Sequence, residues 1–381
     1  MDKIIFILTG LDYAGAEAQV IQLAIGLQLR GWLVQVISMI KPSAYVEELN
    51  ELGIELFTLN MKKGVPDPRA IRKLKQIIKR FKPDIVHSHM IHANILARVT
   101  RVFVKIPVLV STAHSNNEGG KARMLLYRAT DALCEITTNV SQDAVQSYIK
   151  KKACPANKIM FVPNGINLKR FNKHEQDYKE IRSELGLEEE FIWLAVGRLV
   201  EVKDYHTMIK AFAEVVKCNP HARLLIVGEG VLRETLESYV QSLQLENHIM
   251  FLGIRKDIPR LMNASDAFVI SSIWEGMPMV LLEASASELP MVATDVGGNG
   301  EVVEDGVSGY LARPADASDL SKTMQKMMSL SKDAREEMGK KGRAFVLAKY
   351  DIDAIVLRWE SIYGELLSTR TQYRKIERGI Q

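Results

Sequence analysis

At 381 residues the chain is too long for one typical core, and with charged residues at 25% and hydrophobic ones at 47% it reads as an ordinary soluble globular protein of two domains. No stretch approaches the roughly 20 apolar residues of a membrane span, and the three cysteines, Cys134, Cys154 and Cys218, form no C-x-x-C pair, which sets aside a disulfide framework and points to a reducing compartment. The net charge of +4 hides an asymmetry: residues 1–170 hold 24 Lys and Arg against 13 Asp and Glu, and residues 171–381 hold 26 against 33, which suggests two modules with different partners.

The opening run, Met1 to Leu8, is shorter than the core of a secretion signal and the helix after it carries Glu17, so it reads as a first buried strand. Apolar runs at Ile4–Leu8, Val34–Ser38, Ile54–Leu59, Asp84–His89, Val108–Thr112, Glu135–Val140 and Ile159–Val162 alternate with helical periodicities. These are βαβ units, and they predict a parallel sheet. Between them, Asp67 to Phe81 reads as a helix with Asp67 as cap, Pro68 at the first position and Ile71, Leu74, Ile77, Ile78 and Phe81 on one face. Its other face is almost wholly basic, with Arg69, Arg72, Lys73, Lys75, Lys79, Arg80 and Lys82 on the helix and its end. Further basic clusters come from Arg98, Arg101, Lys105, Lys121, Arg123, Arg128 and Lys150 to Lys152.

A linker is expected near residues 168–190, in the polar interval that includes His174 to Glu190. The strand–helix scheme then restarts, with strands at Phe191–Val196, Arg223–Val227, Ile249–Leu252, Ala267–Ser272, Met291–Thr294 and Tyr310–Ala312. From Asp316 the pattern is helical, ending in Asp351–Leu367 and a polar tail, Ser368 to Gln381. Within this half, Glu275-Gly-Met-Pro-Met-Val-Leu-Leu-Glu283 joins a buried strand to a helix that begins near Pro278. Glu275 then lies in the loop and Glu283 in the second helical turn, so both carboxylates can face a crevice at the carboxyl end of the sheet. The backbone N–H groups across Gly276, Met277, Pro278, Met279 and Val280, proline excepted, would meet an anionic or hydroxylated ligand there.

Taken with Leu11-Asp-Tyr-Ala-Gly-Ala-Glu17, Asp84-Ile-Val-His-Ser-His89, Val162-Pro-Asn-Gly-Ile-Asn167, Gly197-Arg-Leu-Val200 with Lys203, and Gly228-Glu-Gly230, the order and spacing of these motifs resemble glycosyltransferase family 4 over nearly the whole chain. The resemblance implies an α/β GT-B fold of two Rossmann-like, doubly wound domains facing a central cleft. Residues 1–170 would form an acceptor-binding domain and residues 171–354 a nucleotide-sugar-binding domain, with the last helix, about 355–381, packing back on the first. Arg198 and Lys203 would clamp the donor diphosphate, as a planar guanidinium and a flexible ammonium suit a leaving group whose charge grows. Asp204 follows Lys203 where many members carry Gly, which leaves the local turn open.

Gly15, which retains one of the family's usual two glycines, would bring its amide to the donor phosphate, although a strand–Gly–helix turn is also an ordinary tight connection. His114, at the end of a strand, would contact the transferred sugar or else serve as a satisfied structural histidine. Glu275 would bind donor-sugar hydroxyls and Glu283 the ribose; a solvated helix face is the plain alternative for Glu283, and its apolar neighbours argue against it. A glycosidase-like nucleophile at Glu275 is disfavoured. Asn164, Gly228, Gly230 and Ile254 complete the expected donor-binding set.

His87, His89 and His92 lack a carboxylate or Cys cluster, so no metal and no cofactor is expected. The activity implied is a retaining, metal-independent transfer of a hexosyl or N-acetylhexosaminyl group from a nucleotide diphosphate donor, most simply a UDP-sugar. The acceptor would be a hydroxyl of a growing, lipid-linked glycan in surface-polysaccharide or lipopolysaccharide assembly. A nucleotide-sugar epimerase of the same fold and a non-catalytic sugar-nucleotide-binding module are the alternatives. The basic first half suits a cytoplasmic protein that docks peripherally on an anionic inner leaflet, or else a set of solvated helix faces. Nucleic acid is set aside for want of interleaved aromatics.

Overall fold

The computed structural model describes residues 1–116 and 118–377. The chain divides into two compact units, one formed by Met1–Gly165 with the segment from Ile352 onward and the other by Ile166–Asp351. The changes of unit fall a few residues before the boundaries at 170 and 354 read from the sequence, and residues 378–381 of the expected last helix lie outside the described residues.

The first unit is built on seven strands, β1 (Lys3–Leu8), β2 (Leu33–Ser38), β3 (Glu55–Thr58), β4 (Ile85–His89), β5 (Val108–Ala113), β6 (Ile136–Asn139) and β7 (Ile159–Phe161). They form one all-parallel sheet in the order β3-β2-β1-β4-β5-β6-β7. β1 and β4 are buried on both faces, which is why β1 reads as a continuous apolar run and β4 keeps even His87, Ser88 and His89 inside. The helix Ile352–Glu377 closes this unit: Ile355, Val356, Trp359 and Tyr363 join the core formed by β1 and the helix Gly15–Leu29. The expected polar tail is therefore helical from Ser368 to Glu377.

In the second unit six strands follow, β8 (Phe191–Val196), β9 (Ala222–Val227), β10 (Ile249–Gly253), β11 (Ala267–Ile270), β12 (Met291–Thr294) and β13 (Gly309–Ala312). Their order is β10-β9-β8-β11-β12-β13, all parallel, with Trp193, Phe212 and Leu224 in the core. The expected linker is instead largely the helix Glu175–Leu185 of this unit. Its polar composition misleads because few of its side chains are buried: Ile181 is inside, and so is Arg182, which pairs with Asp266 at 2.5 Å and stacks on Tyr178.

Arg98 and Arg101, counted above among surface basics, are also reassigned. Arg98 is fully buried and donates to Ser111 Oγ, Tyr127 O, Thr130 Oγ1 and Thr137 Oγ1. Arg101 is held by Glu135 at 2.6 Å. No described helix is long and apolar enough to cross a membrane.

Candidate functional site

Strand order in the second unit reverses between β8 and β11, and open parallel sheets bind ligands at the carboxyl ends of strands at such a point. The loops there are tied to one another. Gly197 N–H donates to Val227 O at 2.9 Å, Leu199 N–H to Glu229 O at 3.0 Å and Ile273 N–H to Val202 O at 2.9 Å. Gly228, at φ +136°, lies so close over Gly197 that any Cβ would overlap the Gly197 carbonyl. Gly230 lies over Leu199 in the same manner, so both expected glycines shape the floor of this loop cluster.

Of the four residues expected to do chemistry, the structure joins two directly. Lys203 Nζ lies 2.5 Å from Glu275 Oε1, with both side chains largely buried, at 17% and 14% exposure. The same carboxylate oxygen accepts from Ser272 Oγ at 2.6 Å, and Ser271 Oγ donates to the Lys203 carbonyl at 2.8 Å. Arg198 is exposed, and its side chain has no hydrogen bond or ion pair among the described residues. Tyr205 Oη donates to Gly197 O, and burial together with the charge of Glu275 pushes its phenol up. Asp204 adopts a left-handed conformation, φ 47°, and caps the helix Tyr205–Cys218 by accepting from Thr207 N–H. This is the turn that favours Gly, and Asp tolerates it while supplying a cap.

β11 ends at Ile270, two residues short of the expected strand end, which frees Ser271 and Ser272 for the contacts above. The helix Met279–Ala286 starts after Pro278, an N-terminal flanking residue with no side-chain cap; of its first-turn amides Leu281 N–H reaches back to Pro278 O at 3.1 Å, and those of Met279 and Val280 have no intrahelical acceptor. Gly276, Met277, Pro278 and Met279 are buried and Val280 is half-buried. Glu283, half-buried in the second turn, has its carboxyl pushed up to about 7 by burial, with the positive charge of Arg170 opposing that rise. Ile254 is 69% exposed just beyond β10.

Sequence reasoning missed Ser272, Arg170 and the loop at Gly297–Gly298. Gly298 N–H donates to Gly276 O at 2.8 Å, and a Cβ at Gly297 would overlap the Glu275 carbonyl. The available signal was Gly-Gly two residues after the apolar run of β12.

Three expected residues lie on the first unit. Gly15 is exposed at the start of the helix Gly15–Leu29, which has no side-chain cap. Asn164 is buried beside Gly165, whose N–H donates to Gln19 Oε1 at 2.8 Å. His114 follows β5 directly and continues a stack of histidines: His87 and His89 rings are 4.0 Å apart and His89 and His114 5.3 Å. His89 Nδ1 and His114 Nε2 are 3.1 Å apart. Burial lowers all three, His114 to about 4, so the stack is neutral at physiological pH. His89 Nε2 and His114 Nδ1 are buried with no hydrogen-bond partner among the described residues. His92 is on the helix Ile91–Arg101, outside this stack, and no group of three or more metal-ligating side chains occurs among the described residues.

Two family models match the chain, Glycosyltransferase Family 4 over residues 13–170 and Glycosyl transferases group 1 over residues 177–345. An Escherichia coli protein, UDP-Gal:alpha-D-GlcNAc-diphosphoundecaprenol alpha-1,3-galactosyltransferase, is 30% identical over 260 residues, covering 65% of this chain and 67% of that one. The putative glycosyltransferase EpsD of Bacillus subtilis is 26% identical over 341 residues, 84% of this chain and 88% of its own. Among solved structures, Anabaena HepE in complex with UDP and glucose superimposes with a TM-score of 0.85 at 21% identity, covering 96% of this chain and all of that one.

Proposed function

Because the chain belongs to the family 4 glycosyltransferases of GT-B fold, we propose that it moves a hexosyl or N-acetylhexosaminyl group from a UDP-sugar to a hydroxyl of a growing, lipid-linked glycan, with retention of anomeric configuration and without a metal. The observation that carries this reading is the Lys203–Glu275 pair at the strand-order reversal, beside the exposed and unpaired Arg198. A diphosphate recruits both cations: Arg198 offers a fork of donors and Lys203 a point charge, and both gain strength as the leaving oxygen takes up charge. Glu275 then turns from Lys203 to the sugar hydroxyls. Glu283 accepts from the ribose, the first-turn amides of the helix Met279–Ala286 meet phosphate, and Ile254 packs on the base.

In the transfer itself the bond from anomeric carbon to phosphate oxygen breaks and the bond to the acceptor oxygen forms on the same face, with the acceptor proton passing to the departing phosphate. His114 contacts the transferred sugar and Gly15 the donor phosphate. The first unit takes the acceptor and the second the nucleotide. The UDP-galactose and diphosphoundecaprenol in the name of the Escherichia coli relative, and the UDP bound to HepE, support the choice of donor and of acceptor class.

The basic helix Arg69–Phe81 supports peripheral docking on an anionic inner leaflet, with Arg69, Arg72, Lys73, Lys79 and Arg80 exposed. The test is incubation with a panel of nucleotide sugars and a diphospholipid-linked acceptor. UDP release that requires the acceptor, with a product of unchanged anomeric configuration by NMR, is the expected result; an inverted product, or turnover without acceptor, overturns the proposal.

A further inference from the structure

Glu118 lies in the loop between β5 and the helix Lys121–Thr130. Its two carboxylate oxygens are separately engaged. Oε1 accepts from the backbone N–H of His114 at 3.2 Å, and Oε2 accepts from Tyr127 Oη at 2.7 Å. Tyr127 is fully buried, its ring lies under the Arg98 guanidinium, and its oxygen accepts from Asn94 Nδ2, which also donates to Thr112 O, two residues before His114. The loop is further held at its backbone, where Arg123 donates to Glu118 O and Ser147 and Lys151 donate to Asn116 O. A carboxylate here therefore connects the His114 main chain to two helices.

We propose that Glu118 is a positioning residue for sugar transfer: by holding the His114 amide against the buried Tyr127–Asn94 network, it fixes the His114 ring against His89 and keeps the buried Nδ1 unclaimed by any described residue, for the transferred sugar to meet when the donor binds. This rests on the reading of His114 as a sugar contact. The hydrogen bonds give the ionised form the advantage, since a charged acceptor binds an N–H and an O–H more strongly than a neutral one. Burial pushes the Glu118 carboxyl up to about 7, against hydrogen bonds from Tyr127 and His114 and the charge of Arg123. Beyond these, Asp143 reaches the loop through Asn116, and Lys151 lies at its exposed edge. His114 is already neutral near pH 7, so the charge that changes there belongs to Glu118.

Glu118→Gln keeps the shape and, with its one oxygen accepting from His114 N–H, turns an N–H₂ donor toward Tyr127 Oη, where the wild type has an acceptor. With donor saturating, so that the ribose holds Glu283 in one ionisation state, wild-type kcat should rise with pH through about 7, whereas the Gln variant should be flat across that range and lower at its alkaline end. Glu118→Ala should lower kcat by on the order of 10²-fold, the cost of a displaced reacting group, with UDP affinity unchanged. Imidazole ¹⁵N resonances of His114 supply a readout independent of turnover. In the wild type they should shift as pH passes through about 7 although the ring stays neutral, and in Glu118→Gln they should not. A His114→Ala variant with full activity would remove the sugar-contact reading while the resonances still judged the positioning. A folded Glu118→Gln protein with the wild-type kcat profile and unaltered His114 resonances overturns the proposal.

Discussion

Replacing Glu283 with Gln probes what the second unit gives up to keep a carboxylate in an apolar helix. Burial raises this carboxyl from an ordinary 4.5 to about 7, a difference of about 3 kcal/mol in favour of the protonated form, at about 1.4 kcal/mol per tenfold change. The folded value lies above the unfolded one, so the native state holds the proton more tightly. Stability is then greatest below about 4.5, falls as pH rises through about 7 and levels off above it. Gln has the same shape and no charge to desolvate. At pH 8 the variant should therefore be more stable than wild type by up to about 3 kcal/mol, or roughly 6–12 °C for a unit of this size, and most of that gain should vanish by pH 5. UDP should raise the melting temperature of wild type more than that of the variant, because the lost acceptor is the one proposed for the ribose. Scanning calorimetry at the two pH values, with and without UDP, measures both effects. A variant no more stable than wild type at pH 8, or equally stabilised at pH 5 and 8, would refute the argument.

Arg198→Ala and Lys203→Ala should each lower kcat by about 10²–10³-fold, the scale of one lost donor at a developing anion; wild-type turnover in either removes the diphosphate assignment for that residue. EDTA dialysis should leave activity intact, and loss of activity restored by added divalent cation would contradict metal independence. Arg98→Ala should destabilise the first unit by about 3–5 kcal/mol, since it opens a cavity and strands several buried acceptors, as read from its urea midpoint. Binding to liposomes should increase with anionic lipid and fall with salt; equal binding to neutral vesicles would end the docking proposal.

Strands were legible because a parallel sheet covered on both faces needs runs such as Met291–Thr294, which no surface element tolerates. The helix Glu175–Leu185 was not, because it buries little more than Ile181 and one arginine, and composition alone cannot tell a solvated helix from a linker. Arg98 misled for the converse reason: nothing local to it signals that Ser111, Thr130 and Thr137 will supply its acceptors. At the candidate site the motif spacing located Lys203 and Glu275 on separate loops, but their direct pairing depends on register between β8 and β11. Glu118 reads as one more loop acid until the fold brings Tyr127 beneath it.

The return of the helix Ile352–Glu377 to the first unit makes that unit discontinuous in the chain, and this governs how it is made. As the ribosome delivers residues 1–165, the sheet has its strands, but Ile355, Val356, Trp359 and Tyr363 are still unsynthesised. The apolar face of the helix Gly15–Leu29 and the Nδ1 of His87 wait for them, the latter for Tyr363 Oη at 2.6 Å. The second unit, one unbroken segment, can complete its core earlier although it emerges later. The nascent N-terminal half is thus an exposed, strand-rich intermediate with a natural claim on chaperones. Shortening the chain before Ile352 should yield aggregation rather than a smaller folded protein.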